Sequence, residues 1–412
     1  MVRSVMGPDQ AFMRDWFQRY YLSQPPRPPE RMDRREFGFM FFDRDYVQRH
    51  MGFETPGHMH SFLQGQVPSH SYYSSAYYQF PGAGTMEEKK WMGADLIFDL
   101  DADHVKGAEE LSYRDMLARI KVELLRLIDD FLLGDLGFDA SHLRIVFSGG
   151  RGYHIHVMDA RLAGLRSHER REIVDYIAGT DLNLEWVFPE RTTASKTFQG
   201  RVQDSRVRSM PAPGSGGWKG RMRNGIMWLV EEMRSRDLPD LRARLPALNG
   251  VSDAIVEGML TDLYSRSGSR DGAELMLSGN ALSAFSDRRH IDLFLRLLEE
   301  EVVPRFSAEI DEPVTSDIKR LIRLPLSLHG KTGLRVTPME RDELDAFDPL
   351  RDAVPDIYPD RRVEVFVRKP SVVEIKDQRF VVEGVCDVPT YAAMFMIGRR
   401  IATLEIPLDV RS

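Results

Sequence analysis

Between Ala94 and Val157 the chain alternates two hydrophobic periodicities, and few architectures accommodate that order. Residues 94–100, ADLIFDL, form a short apolar run that reads as a strand. Met116, Ile120, Leu124, Leu127, Ile128 and Phe131 then recur at helical spacing after a capping-box-like start at Ser112 and Asp115. Gly134 or Gly137 is placed to end that helix. Residues 143–147 and 153–157 read as strands again, joined by Ser148-Gly149-Gly150-Arg151-Gly152. Strand, helix, strand, turn, strand predicts a mixed α/β (α+β) domain.

The flanking sequence extends this reading. A helix, DQAFMRDWFQRYYL, precedes a rigid proline segment at 23–29, and strand-like runs follow at 36–42 and 71–78. Between about 160 and 300 helical patterns dominate, as at 168–177 and 291–301, with a Pro/Gly/Ser-rich break at 211–217 that reads as a mobile loop. Strand-like runs return at 363–367 and 380–382, then a helix from Tyr391. The expected organisation is a discontinuous α/β domain, residues 1–160 and 300–412, with a mostly helical inserted subdomain at 161–299.

Composition narrows the class. With 412 residues, 42% of them hydrophobic, a sizeable core is expected. No run approaches the ~18 apolar residues of a membrane helix, and MVRSVMGPDQ carries no apolar signal segment. Cys386 is the sole cysteine, so intrachain disulfides and cysteine-based zinc sites are excluded, and a reducing cytosol fits. The net charge of −7 argues weakly against nucleic acid, but it hides two basic stripes. Residues 191–223 carry Arg191, Lys196, Arg201, Arg206, Arg208, Lys219, Arg221 and Arg223 against Asp204 alone; residues 319–335 carry Lys319, Arg320, Arg323, Lys331 and Arg335 and no acid. Such stripes either track a phosphate backbone or are solvated faces.

The chemistry-bearing residues fall into three groups. Asp99 and Asp101 sit two apart at the end of an apolar strand, so their side chains share one face. Carboxylates so placed repel unless a cation lies between them, and Mg²⁺ or Mn²⁺ favours such oxygen ligands. Asp103 shares their parity but is expected to lie past the strand end, outside the site. In the second group, Ser148, Arg151 and His154 converge on a glycine turn whose backbone can approach phosphate; an ordinary hairpin turn is the plain alternative. His156 shares the face of His154 and is expected to support it or fill the core. In the third group, a helix predicted from Thr315 to before Pro325 carries Arg320 and Arg323 near its end, beside a turn with Ser327, His329 and Lys331. Asp317 is expected to cap that helix, and Asp311 to complete a metal site from a distant segment. Gly330-Lys331-Thr332 looks like a P-loop tail, but Pro325 occupies the position a Walker motif gives to glycine. Lys331 is read equally as a phosphate or template contact and as an exposed loop lysine.

Together FDLDAD, SGGRGYHIHV and D-x11-RLPLSLHGKTG resemble, in that order, the archaeal and eukaryotic primase small-subunit family, as do Arg35-Glu36-Phe37-Gly38-Phe39 and HSYYSSAYYQFP. The resemblance spans about 30–160 and 300–400. It implies the primase catalytic fold and template-directed primer synthesis from nucleoside triphosphates on single-stranded DNA by two-metal transfer. It implies metal ligation by Asp99, Asp101 and Asp311, and nucleotide binding by Ser148, Arg151, His154, Arg323 and His329. Glu36, Arg49 and His70 fall near positions linked to nucleotide or initiating-site contacts. The implied partner is a large primase subunit bearing an iron–sulfur cluster, and the implied setting is cytoplasmic and nucleoid-associated. Many relatives carry a cysteine-rich zinc knuckle after the carboxylate pair; HVKGAEELSYRDML has no cysteine, so no structural zinc is expected. Two other readings use the same residues. A gap-filling or end-joining polymerase of this type would extend primers without starting them. A non-catalytic template-binding scaffold would not need intact carboxylates.

Overall fold

The structure of the protein, a computed structural model, describes residues 6–102, 107, 110–198 and 201–407; of residues 193–198, 201–205 and 267 only the backbone is described. The chain divides into two units, one made of Met1–Leu125, Phe138–Val174 and Glu309–Ser412, the other of Arg126–Gly137 and Asp175–Ala308.

Eight strands of the first unit build two antiparallel sheets. In chain order they are β1 (Phe37–Phe41), β2 (Arg44–Met51), β3 (His70–Ser74), β4 (Leu96–Asp101), β5 (Leu143–Phe147), β6 (Gly152–Val157), β7 (Leu321–Arg323) and β8 (Thr337–Met339). The spatial orders are β7-β3-β1-β2 and β8-β5-β6-β4. Each sheet takes one edge strand from the C-terminal third, which is why residues so far apart in sequence meet in one unit. In β4, Leu96, Phe98 and Leu100 alternate with Ile97, Asp99 and Asp101, and Leu96 through Phe98 are almost wholly buried. That apolar stretch fixes the strand's register, and the register fixes where the carboxylates point. On the carboxylate face, the Tyr73 ring of β3 lies parallel to the His156 ring of β6, centroids 6.3 Å apart.

A buried ion pair ties the starts of the two sheets together. Arg35 donates to Asp95 Oδ2 at 2.7 Å and to the Ser74 carbonyl at 2.7 Å, and both charged side chains are nearly inaccessible. Removing one partner of such a pair costs about 3–5 kcal/mol, because the other charge is left without compensation. At the expected cap the Asp115 N–H donates to Ser112 Oγ at 3.2 Å and the Ser112 hydroxyl donates to Asp115 Oδ2 at 2.7 Å, and the helix runs over Tyr113–Arg126. Near the C-terminus a long hairpin, Arg362–Ile375 with Gln378–Pro389, leads into a helix, Thr390–Gly398, that is buried from Thr390 to Ile397. YAAMFMI is apolar on every face, so it can only be a core helix.

In the second unit, residues 127–135 continue as a wider π-helical segment. Gly134 suits it, since a β-carbon there would come within 2.9 Å of the Asp129 carbonyl; Gly137, at φ +65°, follows the end. Helices Gly217–Met233, Asp253–Tyr264 and Arg288–Leu297 pack around Met222, Ile226, Leu229 and Leu297. Within the segment expected to be mostly helical, Glu190–Phe198 and Arg201–Arg208 also form a β-hairpin, which the expectation did not include. Two members of the first basic stripe are structural. Arg221 pairs with Asp135 and stacks on Phe131 at 3.9 Å, and Arg223 donates to the Pro211 carbonyl at 2.7 Å. The side chains of Lys196 and Arg201 lie outside the described residues. Among the described residues, no helix is long and apolar enough to cross a membrane.

Candidate functional site

The β4–β6 ladder sets Asp99 opposite His154 and Asp101 opposite Gly152. Directly opposed residues in an antiparallel pair project to the same side. His154 Nε2 accordingly lies 3.3 Å from Asp99 Oδ1, and the half-exposed Arg151 guanidinium lies 3.8 Å from Asp101 Oδ1. Gly152 is required by close approach, because a β-carbon there would stand 2.1 Å from the Leu100 carbonyl oxygen. Asp103 lies outside the described residues, as do parts of the 104–117 stretch on which the zinc expectation rests.

Asp311 arrives from the other end of the sequence, and its N–H donates to the Asp99 carbonyl at 3.0 Å. The helix predicted from Thr315 toward Pro325 is not formed. A five-residue helix, Glu312–Ser316, ends early, and Leu321–Arg323 becomes strand β7, pairing with β3 at Tyr72–Ser74. The open edge of β3 offers unpaired backbone groups, and a strand there satisfies them while burying Ile322. Capping therefore shifts as well. Asp311 is the N-cap, its Oδ1 accepting from the Val314 N–H at 3.4 Å, while Asp317 accepts from the Lys319 N–H at 2.8 Å in the turn that follows.

The Ser327–Gly333 segment folds over the glycine turn. Thr332 Oγ1 donates to the Gly149 carbonyl, and the Gly333 N–H donates to the His329 carbonyl at 2.8 Å. Gly149, at φ +74°, has no room for a side chain: a β-carbon would stand 2.8 Å from His329 Cβ. Tyr113 adds an anchor by donating its hydroxyl to the Gly150 carbonyl.

These segments enclose a cavity of about 600 Å³ lined by Asp99, Asp101, Ser148, Arg151, His154, Arg323 and His329. Asp311 is not among the lining residues. The wall also contains Arg320 and Lys331, which the sequence singles out, and Tyr72, Tyr113, Arg399 and Arg400, which it does not. Six cationic side chains thus face two carboxylates, the balance suited to a polyanion. Arg399 sits 3.9 Å over the Tyr113 ring, and Gly398 lets the end of its helix touch the Lys331–Thr332 backbone. The Gly-Arg-Arg at a helix end was the only available signal for Arg399. Glu36 and Arg49 do not line the cavity; Glu36 is buried and held by Arg49 at 3.0 Å and by Lys89 at 3.4 Å.

The residues expected to hold a metal, Asp99, Asp101 and Asp311, offer only carboxylate oxygen and no sulfur, the donor chemistry of a hard, oxygen-preferring cation. Among the described residues no three His, Cys, Asp or Glu side chains are already gathered as a ligand set. The arrangement is therefore a pair on one strand with a third carboxylate carried by the neighbouring backbone.

Burial makes the site's histidines neutral. His154 is held down to about 4 by burial and then by Arg323, with Asp101 pulling the other way. Burial, followed by Arg323, keeps His70 and His329 well below the ordinary range; burial, followed by His154, does the same to His156. Each of these rings binds fewer protons folded than unfolded. The stability it contributes is complete above the unfolded value of about 6.5 and is lost as pH falls. The thermal midpoint of the ion-free protein should therefore drop below about pH 6.5, each ring contributing at most about 1.4 kcal/mol per pH unit. A midpoint that stays level from about pH 7.5 to 5 would mean that the rings are not buried as neutral bases.

The DNA primase small subunit family model matches residues 98–341. The chain is 40% identical over 399 residues to the DNA primase small subunit PriS of Methanothrix thermoacetophila, covering 95% of this chain and 98% of that one. It is 39% identical over 410 residues to PriS of Methanocella arvoryzae, covering 96% and 98%. It is 38% identical over 396 residues to PriS of Halorubrum lacusprofundi, covering 95% and 96%.

Proposed function

Since the chain belongs to the DNA primase small-subunit family, and is thereby a DNA-directed nucleotidyltransferase that makes primers for DNA replication, we propose how its residues divide that work. Asp99, Asp101 and Asp311 hold divalent ions, Mg²⁺ or Mn²⁺. Ions bound there would supply the Lewis acidity that lowers the pKa of an attacking 3′-hydroxyl and neutralises charge at the transferring phosphorus. The hydrogen bond from the Asp311 N–H to the Asp99 carbonyl, 3.0 Å, supports the reading, because it holds the backbone of a remote aspartate against the strand that bears the pair. The cap that Asp311 makes on Val314 is long, at 3.4 Å, so exchanging it for a cation sacrifices little.

The remaining residues orient and neutralise. Neutral His154 directs its Nε2–H toward Asp99 and fixes that carboxylate's rotamer. Ser148, Arg151, Arg323 and His329 bind the triphosphate of the incoming nucleotide, and Arg399, whose helix end meets the Lys331–Thr332 backbone, joins them. The single-stranded template is held electrostatically, so its binding weakens as salt rises. The partner is the primase large subunit with its iron–sulfur cluster, and the setting is the cytoplasm, at the nucleoid.

The test is template-directed dinucleotide synthesis on single-stranded DNA without a primer, comparing ribonucleotides and deoxynucleotides. Arg323→Ala and Arg399→Ala should each raise the nucleotide KM about tenfold, the loss of one charge-assisted contact. If both leave KM unchanged, the triphosphate lies elsewhere.

A further inference from the structure

His70 lies on β3, outside the glycine turn and outside the carboxylate strand, yet it joins two segments that face the cavity. Its Nδ1 receives the Arg323 guanidinium at 2.5 Å and the Gly330 N–H at 3.3 Å. Both partners are donors, so Nδ1 must carry the lone pair and the ring proton must sit on Nε2. The ring is 5% exposed and meets the His329 ring edge-on, with centroids 4.8 Å apart. The fit leaves no slack: a β-carbon on Gly330 would come 2.8 Å from the Ser69 carbonyl oxygen and 3.0 Å from His70 Nε2. On its other side Arg323 stacks over the Tyr72 ring at 4.6 Å.

An arginine facing a cavity has many rotamers, and a glycine-containing turn has many backbone states. Two donors converging on one acceptor remove both freedoms together. We propose that His70 is a positioning residue for nucleotide binding: through Nδ1 it locks the Arg323 fork and the His329–Lys331 turn into one preorganised phosphate-facing wall. This rests on the reading of Arg323 and His329 as triphosphate contacts. It adds that their geometry is set by a residue that itself touches no substrate.

The test separates an acceptor from a mere filler of space. Asparagine places its Oδ1 close to where histidine has Nδ1, whereas glutamine carries its acceptor one bond further out. Nucleotide KM, kcat and thermal midpoint are measured for His70→Ala, His70→Asn, His70→Gln, Arg323→Ala and His70→Ala/Arg323→Ala. His70→Ala and His70→Gln are expected to raise KM about tenfold with kcat changed less than threefold, and His70→Asn to restore most of the loss. In the Arg323→Ala background, His70→Ala should add less than its full factor, because one of the two groups it holds is already gone. Should His70→Ala fail to fold, the contrast between asparagine and glutamine still decides. Equal KM values for asparagine and glutamine, or full additivity with Arg323→Ala, would overturn the proposal while leaving the phosphate reading intact. If Arg323→Ala itself leaves KM unchanged, it is the phosphate reading that fails.

Discussion

An Asp311→Asn protein should fold as the parent does and lose primer synthesis by about a thousandfold, some 4 kcal/mol of transition-state stabilisation. The expectation separates two jobs of one side chain. As the N-cap of Glu312–Ser316, Asp311 accepts from Val314, and asparagine caps a helix about as well as aspartate. As a metal ligand it supplies negative charge, which asparagine lacks. Asp311→Ala removes both and, the cap being long at 3.4 Å, should also lose stability at the low end of the capping range, about 0.5 kcal/mol. Asp101→Asn should match the catalytic loss without touching any cap. The measurements are thermal unfolding without added metal, and dinucleotide formation across a Mn²⁺ titration. If Asp311→Asn keeps more than a tenth of the activity while Asp101→Asn is inactive, Asp311 is a cap and nothing more.

The ease with which parts of this site can be read from sequence follows the range of the interactions that build it. Asp99 and Asp101 share a face by strand parity, and Ser148, Arg151 and His154 are gathered by one short turn, so each group is legible by itself, whereas the pairing of β4 with β6 that brings the groups together spans the intervening helix Tyr113–Arg126 and is a tertiary relation. The apolar helix Thr390–Gly398 was similarly plain from local pattern. Leu321–Arg323 was not. Its alternation is too short to distinguish from a helix turn, and the edge of β3 that makes it a strand belongs to residues about 250 positions earlier. The hairpin at 190–208 was hidden by its charge, which drew attention to phosphate and away from the β-branched Thr192, Thr193, Thr197, Val202 and Val207. Arg399 reaches the cavity only because Gly398 seats its helix against Lys331, a purely tertiary relation.

Gly152→Ala is the substitution with which a single methyl group should undo both the fold and the chemistry. The added carbon would lie 2.1 Å from the Leu100 carbonyl oxygen and 2.9 Å from Asp101 Cα. Both obstacles are backbone of β4, so no rotamer change relieves them and the strands must separate. Separation breaks the Leu100–Tyr153 and Asp101–Gly152 register and tilts Asp101 away from Asp99. Overpacking of this kind costs about 3 kcal/mol, or roughly 5–10 °C in thermal midpoint for a unit of this size. A shift of 1 Å at a catalytic ligand costs about a hundredfold in rate even where the fold survives. Gly65→Ala is the matched control. It lies exposed in the helix Pro56–Gln66 with nothing within 4 Å of the new carbon, so it should be neutral or stabilising by up to about 1 kcal/mol. If the residue 152 variant instead melts with the parent and still makes primers at the parental rate, then β4 and β6 are not paired in this register, and the carboxylates do not share the face on which the site is built.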